Sequence, residues 1–154
     1  MPARRTLTLV ALLALVAGCR PARGGHAAAG AMAISHAVVV VPTSPSEATA
    51  FLVLENGGDV AVALVGAASP DAEAVRLHGM AGGRMDPVER LEVPPGGRIL
   101  LAPGRYHLML EGLRRALAAG DTVGLELRFD GGSPLTVRAP VLRYTEAVGE
   151  MPVR

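Results

Sequence analysis

Two separate segments of the sequence place a histidine two residues before a methionine, as His78 with Met80 and His107 with Met109. Successive side chains of a strand point to opposite faces, so the two members of each pair share a face. Alternation assigns Leu108 to the apolar face, which leaves His107 and Met109 on the polar, solvent-facing side. Methionine usually packs in a core, so its repeated presence beside histidine on a polar face indicates ligand chemistry.

The ligand types in these pairs point to a soft metal ion. Thioether sulfur is soft and imidazole is borderline, and a set of two histidines with two or more methionines favours Cu(I) over zinc, calcium or magnesium. Met85 follows His78 within a glycine-rich segment and is a further candidate thioether. We expect these side chains to form a shallow, exposed metal site.

The cysteine content excludes several other kinds of site. Cys19 is the only cysteine, so the chain has no intramolecular disulfide and no second thiol for metal binding. Blue-copper and dinuclear copper centres require cysteine thiolate, which argues against an electron-transfer protein. No Ser-His-Asp order, His-Glu-x-x-His helix or paired-carboxylate motif is apparent, so we expect no enzymatic activity.

The elements that must position the candidate ligands are predicted to be short strands. Apolar and β-branched runs alternate with turn signals such as NGGD, PPGG, APG and DGGSP from Met32 onward, which predicts seven to nine strands in an all-β sandwich or small barrel. Tyr106, Leu108 and Leu110 are expected on the inward face of one strand, with Val75 and Leu77 inward on another. Residues 112–121 are read as a short helical piece.

The N-terminus has the order of a secretory signal. Arg4 and Arg5 precede an apolar run that is too short to span a bilayer and that ends at Gly18-Cys19. The sequence around Cys19 resembles the lipobox of bacterial lipoproteins, which implies a lipid on this cysteine. We therefore expect a signal peptide over residues 1–18 and an extracytoplasmic or periplasmic protein, lipid-anchored to the cell membrane or outer membrane.

The rest of the chain divides into a tether, a domain and a tail. Residues 19–31 are rich in Ala, Gly and Arg and are expected to be a lipidated flexible tether. Residues 32–141 form the predicted β-sandwich domain, and residues 142–154 a C-terminal tail. All 15 basic residues are Arg, and 13 of them remain against 14 acidic residues after removal of Arg4 and Arg5, a net charge of about −1 that gives no indication of nucleic-acid binding.

Most of the mature sequence resembles the PCu(A)C family of periplasmic copper chaperones. The resemblance extends over roughly residues 34–141 and is carried by the segments FLVLENGGD, RLHGM and GRYHLML followed by GDTV. It implies a cupredoxin-like Greek-key β-sandwich that binds Cu(I) through His78, Met85, His107 and Met109. The 21 residues between Met85 and His107 match the family spacing.

One departure from the family pattern affects the ligand set. Only six residues separate His78 from Met85, several fewer than is usual, so Met80 is an alternative to Met85 as the fourth ligand. The resemblance implies delivery of copper to an acceptor protein, with a haem-copper oxidase subunit and a thiol-disulfide copper chaperone as implied partners. The alternative is a metal-free β-sandwich lipoprotein that acts as a protein-interaction module.

Overall fold

A computed structural model describes the backbone of residues 25–29 and the complete residues 31–152. Eleven strands and one helix occur in this part of the chain. They are β1 Gly25–Ala29, β2 Met32–Val40, β3 Glu47–Asn56, β4 Val62–Ala68, β5 Ala72–Ala81, β6 Arg84–Pro87, β7 Leu91–Val93, β8 Arg98–Leu101, β9 His107–Leu113, β10 Thr122–Phe129, β11 Leu135–Leu142 and α1 Tyr144–Glu150.

Seven of the strands close into a barrel. Their order is β2-β11-β10-β4-β5-β9-β3, and pairing of β3 with β2 completes the ring. The β2–β11 pair is parallel and the other pairs are antiparallel. β1, β6, β7 and β8 are short additions to the ring. The prediction of an all-β, cupredoxin-like fold is confirmed.

Aliphatic side chains fill the interior of the barrel. In β11, Leu135, Val137, Ala139 and Val141 are buried while the residues between them reach solvent. Eight further leucine and valine side chains from β3, β4, β9 and β10 are almost fully enclosed in the same core of the described structure, among them Leu52, Leu64, Leu110 and Leu125. Alternating burial of this kind fixes the strand register, because a shift by one residue would expose the whole apolar set.

The inward residues of β5 and β9 largely follow the sequence prediction. Leu77, Leu108 and Leu110 are buried, and Val75 is half-buried. Tyr106 differs, because it lies just before β9 and remains 36% exposed. Its ring lies over Gly79, where an added Cβ would come within 3.0 Å of the ring. Tyr106 therefore covers a glycine at the barrel rim and does not belong to the core.

Both segments predicted to flank the domain contain regular structure. β1 lies within the predicted tether and pairs with β2 along Ala27–Ala29. α1 lies within the predicted tail, and Ala147 and the following Met151 pack with Val38 and Phe51 in a second apolar cluster. A seven-residue helix is marginal alone, so tertiary packing must supply its stability.

The predicted helical piece is wrong. Residues 111–113 belong to β9, and residues 114–121 are irregular. Arg115 holds this loop with ion pairs of 2.7 Å to Asp71 and 3.1 Å to Asp121. The amide of Ala118 also donates to the Asp121 carboxylate, which keeps the Asp121 pKa below its usual value. Side-chain bridges across the loop thus replace the helical hydrogen bonds expected here.

Candidate metal site

The two histidines predicted as ligands lie directly opposite each other on neighbouring strands. His78 on β5 and His107 on β9 are directly opposite partners in the antiparallel register. Their ring centroids lie 5.8 Å apart in an edge-to-face arrangement. Residues that are 29 positions apart in sequence therefore place two imidazoles at one point of the barrel wall.

Met109 lies beside this pair on the same face of the sheet. It follows His107 by one alternation of β9 and is half-buried. Its cross-strand partner is Arg76, whose Nε donates to Glu111 at 2.9 Å. Because Glu111 balances this guanidinium, the charge beside Met109 is partly neutralised.

Met80 and Met85 lie at the other end of the same face. The short segment after His78 forms a hairpin of β5 and β6, in which Met80 is the direct partner of Met85 and Pro87 is the partner of His78. Gly82 and Gly83 make the turn with φ of 58° and 77°, which glycine adopts without strain. The six-residue spacing therefore places Met85 opposite Met80, one alternation away from the histidines.

The burial of His107 departs from the prediction of an exposed site. His107 is only 6% exposed, although it lies on the predicted face. Alternation assigns a face but not a depth, and β9 is flanked by β5 and β3. Met80 and Met85 are exposed by 40% and 49%. The site is therefore open at the hairpin and closed at His107.

Electrostatics favour neutral, ligand-competent imidazole at His107. Burial lowers its pKa, and repulsion from a protonated His78 lowers it further, against an opposing hydrogen bond to the Arg105 carbonyl. Nδ1 of His107 lies 3.3 Å from that carbonyl oxygen, which can only accept a proton. Nδ1 therefore carries the hydrogen, and the lone pair of Nε2 is available to a metal.

His78 carries a buried nitrogen that lacks a partner. Nδ1 of His78 is inaccessible to water and makes no hydrogen bond within the described structure. Buried polar atoms are nearly always satisfied, so an orphaned one requires an explanation. A metal ion bound between the two rings, or a change of ring orientation on binding, would provide it.

The donor set fits a soft monovalent cation. Within residues 31–152, no three His, Cys, Asp or Glu side chains are placed to hold a metal ion together. Two imidazoles with adjacent thioethers remain, and these suit Cu(I) rather than hard divalent ions. His36 is not part of this group, because it lies on β2, separated from β9 by β3.

Two features around the site were not found from the sequence. The Arg105 carbonyl orients His107, and main-chain partners leave no trace in residue type. A groove of about 290 Å³ also adjoins Met109, with Thr49, Phe51 and Tyr144 in its lining. Tyr144 belongs to α1, a helix that the sequence did not predict, so this groove could not be anticipated.

Comparison with known proteins identifies the family. The sequence model described as LpqE-like, "Putative lipoprotein LpqE-like", matches residues 32–141. The chain belongs to this LpqE-like family. Solved structures titled PCuAC domains share its fold, which agrees with the PCu(A)C resemblance of the sequence. The LpqE-like region coincides with the predicted domain and begins at β2.

Three relatives illustrate this LpqE-like assignment. "Putative lipoprotein Lxx21020" of Leifsonia xyli subsp. xyli is 31% identical over 152 residues, which span 93% of this chain and 92% of that protein. The Cu(I) form of DR1885 from Deinococcus radiodurans is 36% identical, with a TM-score of 0.57 over 70% of this chain and 76% of that one. The copper-bound PCuAC domain of PmoF2 shares the fold at a TM-score of 0.68 and 24% identity, covering 77% and 97% of the two chains.

The lipoprotein names of the family and of the Leifsonia xyli relative agree with an extracytoplasmic, lipid-anchored protein. In the part of the chain that the structure describes, the only helix is α1, and it is too short to cross a membrane. Cys19 and the predicted signal peptide lie outside the described residues. The anchor itself therefore stays a prediction from the sequence.

Proposed function

We propose that this protein is an exported copper chaperone that binds Cu(I) and passes it to a copper-requiring acceptor. The proposed ligands are His78, His107 and Met109, with Met85 as the fourth. The observation that carries the proposal is the direct opposition of the two histidines, with a methionine beside them on the same face. Packing alone gives no reason for this combination on the outer face of a barrel.

The chemistry of the ligands suits a carrier better than a permanent cofactor site. Neutral imidazole and thioether ligands add no negative charge, so they hold Cu(I) without the strong attraction of thiolate. Met85 is exposed, and an acceptor's ligands can replace it first. His107 is buried and would leave last. Stepwise ligand exchange from the open end would transfer the ion without releasing it to water.

The identity of the acceptor rests on the family resemblance. The resemblance to PCu(A)C proteins implies delivery of copper to the copper centre of a haem-copper oxidase, in some cases together with a thiol-disulfide chaperone. We extend this role to the present chain as part of the proposal. A lipid on Cys19, with the signal peptide of residues 1–18 removed, would keep the chaperone at the membrane surface where such an acceptor resides.

Competition for Cu(I) tests the proposal directly. The purified chain would be titrated under reducing conditions against a coloured Cu(I) chelator, and X-ray absorption of the loaded protein would count sulfur and nitrogen ligands. We expect one tightly bound Cu(I) with both ligand types. Failure to compete with even a weak chelator would reject the chaperone function and leave the metal-free interaction module as the explanation of the fold.

A further inference from the structure

The outer face of β6, β5 and β9 carries more metal donors than one Cu(I) site needs. His78, His107 and Met109 form one group, and Met80 with Met85 forms a second. Cu(I) is satisfied by two to four soft ligands, so five donors on one face exceed the requirement. Met80 and Met85 are direct partners and define what we call the thioether pair.

The two groups are close enough for an ion to move between them. Met80 follows His78 by two residues of the same strand, a separation of about 6.7 Å between their Cα atoms. Met85 lies opposite Met80 and is one alternation from Pro87, the partner of His78. Methionine side chains are long and unbranched, so the Met85 sulfur can turn toward either group.

Exposure falls steadily along this path. Met85 and Met80 are 49% and 40% exposed, whereas His107 is only 6% exposed. His78 and Met109 are half-buried between these limits. The donors are thus ordered from open water to the interior of the site.

The charged residues of β6 point away from the thioether pair. Arg84 and Asp86 alternate with Met85 on β6, so they point to the opposite face, where they pair with each other at 3.3 Å. A two-glycine turn and four register pairs hold the hairpin in shape. The thioethers therefore stay side by side. Met80 also lines a groove with Arg98 and Arg105, of which Arg98 is paired with Glu55 at 3.4 Å.

We propose that the thioether pair is a capture site that binds Cu(I) first. The ion then passes from this pair to the histidines while Met85 remains bound to it as a ligand in both positions. This inference rests on the proposed copper-chaperone function. In the transfer step the bond from copper to the Met80 sulfur breaks and a bond to an imidazole nitrogen of His78 forms. The ion remains Cu(I), and no electron or proton is exchanged when the imidazole is already neutral.

The capture site is tested after the histidines are removed as ligands. In the His78→Gln/His107→Gln protein, glutamine can still donate to the Arg105 carbonyl but is a poor Cu(I) ligand. With ¹³C-methyl-labelled methionine, we expect Cu(I) to shift the methyl signals of Met80 and Met85 in this variant. Adding Met80→Leu should weaken the residual binding by about tenfold or more, since loss of a direct ligand costs at least as much as loss of its supporting contacts.

A matched control and a rate measurement complete the test. Met151→Leu changes a methionine packed beneath α1 and should leave the residual site intact. In the protein with both histidines, Met80→Leu should slow loading from a Cu(I) donor in stopped flow, whereas Met151→Leu should not. Residual Cu(I) affinity that does not change in Met80→Leu, or a loading rate that does not change in Met80→Leu, would overturn the capture site alone. Absence of Cu(I) binding by the unmodified protein would instead reject the chaperone function.

Discussion

His78 and His107 occupy opposed positions but meet different surroundings. His107 is enclosed and oriented by the Arg105 carbonyl, while His78 is half-buried with one unpartnered nitrogen. A proton and the proposed Cu(I) would compete for the same Nε2 lone pair of His107. Because burial and His78 together lower the pKa of His107, the metal is favoured in this competition over most of the neutral range.

Cu(I) affinity should therefore depend on pH in one direction. Thioethers do not titrate, so only the histidines should respond. We expect affinity to be nearly constant above about pH 6.5, the ordinary pKa of histidine, and to fall at lower pH as protons displace the metal. Chelator competition between pH 7.5 and about pH 5 would measure this effect, with a chelator corrected for its own titration. A level profile would show that neither histidine is a ligand.

The stability of the metal-free protein should also decrease as the pH falls. The folded state lowers the pKa of His107, so the unfolded chain binds a proton more readily. The contribution of His107 to stability is complete above the unfolded pKa of about 6.5 and is lost as the pH falls through the lower folded value. Thermal melts over this range should show a smaller loss for His107→Gln than for the unmodified chain. Equal losses in both proteins would contradict this account.

Substitutions at neighbouring residues of β9 should affect different properties, stability in one case and Cu(I) affinity in the other. Leu108 is completely buried, so Leu108→Ala should cost about 2–5 kcal/mol of stability through lost packing. Met109→Leu keeps the volume and removes only the sulfur, so the apo melting temperature should hardly change while Cu(I) affinity falls. Thermal melts and chelator competition at one pH would separate the two effects. Full Cu(I) affinity in Met109→Leu would remove Met109 from the ligand set.

At the level of strands, sequence patterns predicted the face of each side chain but not its depth. Alternation correctly placed Leu77 and Leu108 inward, because each belongs to a strand with one buried face. It placed His107 on the correct face, yet depth depends on the neighbouring strands. Alternation also assigns Tyr106 to the inward face, but this residue lies at the rim, over Gly79, where water still reaches the ring.

Elements whose stability comes from distant contacts were the ones missed. α1 is too short to show a clear amphipathic pattern, and its one buried residue, Ala147, packs with Val38 and Phe51 from β2 and β3. β1 has an Ala-rich sequence without alternation and is defined by pairing with β2. β6 was not predicted either, although its pairing with β5 is local, because Gly82 and Gly83 obscure the strand signal around Met85.

The contribution of α1 can be measured through Met151. This residue is 7% exposed and packs with Ala147 beneath the helix. Met151→Ala should destabilise the protein by about 2 kcal/mol, the low end for truncating a buried methionine, because the apolar cluster around it is small and can relax. Val148→Ala provides the control, since Val148 is 39% exposed. Denaturant unfolding should separate the two variants, and equal effects would mean that the packing of α1 adds nothing.

At the scale of the whole molecule, we expect the folding of the domain to be independent of its attachment to the membrane. The barrel closes through β2 and β3, and both ends of the described chain lie on this side of the ring, since β1 and β11 each pair with β2. The predicted point of membrane attachment is Cys19, which precedes all of these strands in the sequence. Loss of the lipid should therefore leave the fold intact.

Cys19→Ala should separate export from anchoring. The variant keeps the apolar run and its basic start but lacks the thiol that accepts the lipid, so we expect an exported protein without acyl chains. Detergent phase partitioning and the mass of the purified protein would detect the change. Ser35→Ala, a substitution in the domain, should partition like the unmodified protein. Retention of Cys19→Ala in the detergent phase would refute the lipoprotein assignment.

The parallel pairing of β2 with β11 has a consequence for the timing of folding. Val39 and Val141 are register partners, although they stand near opposite ends of the domain sequence. The ring cannot close until the ribosome has released almost the entire chain, and pairings of such long range form slowly. For a chain exported during its synthesis through the predicted signal peptide, the barrel would therefore close only after translocation. In that case the proposed metal site would form outside the cytoplasm, and the protein could not arrive there already loaded with cytoplasmic copper.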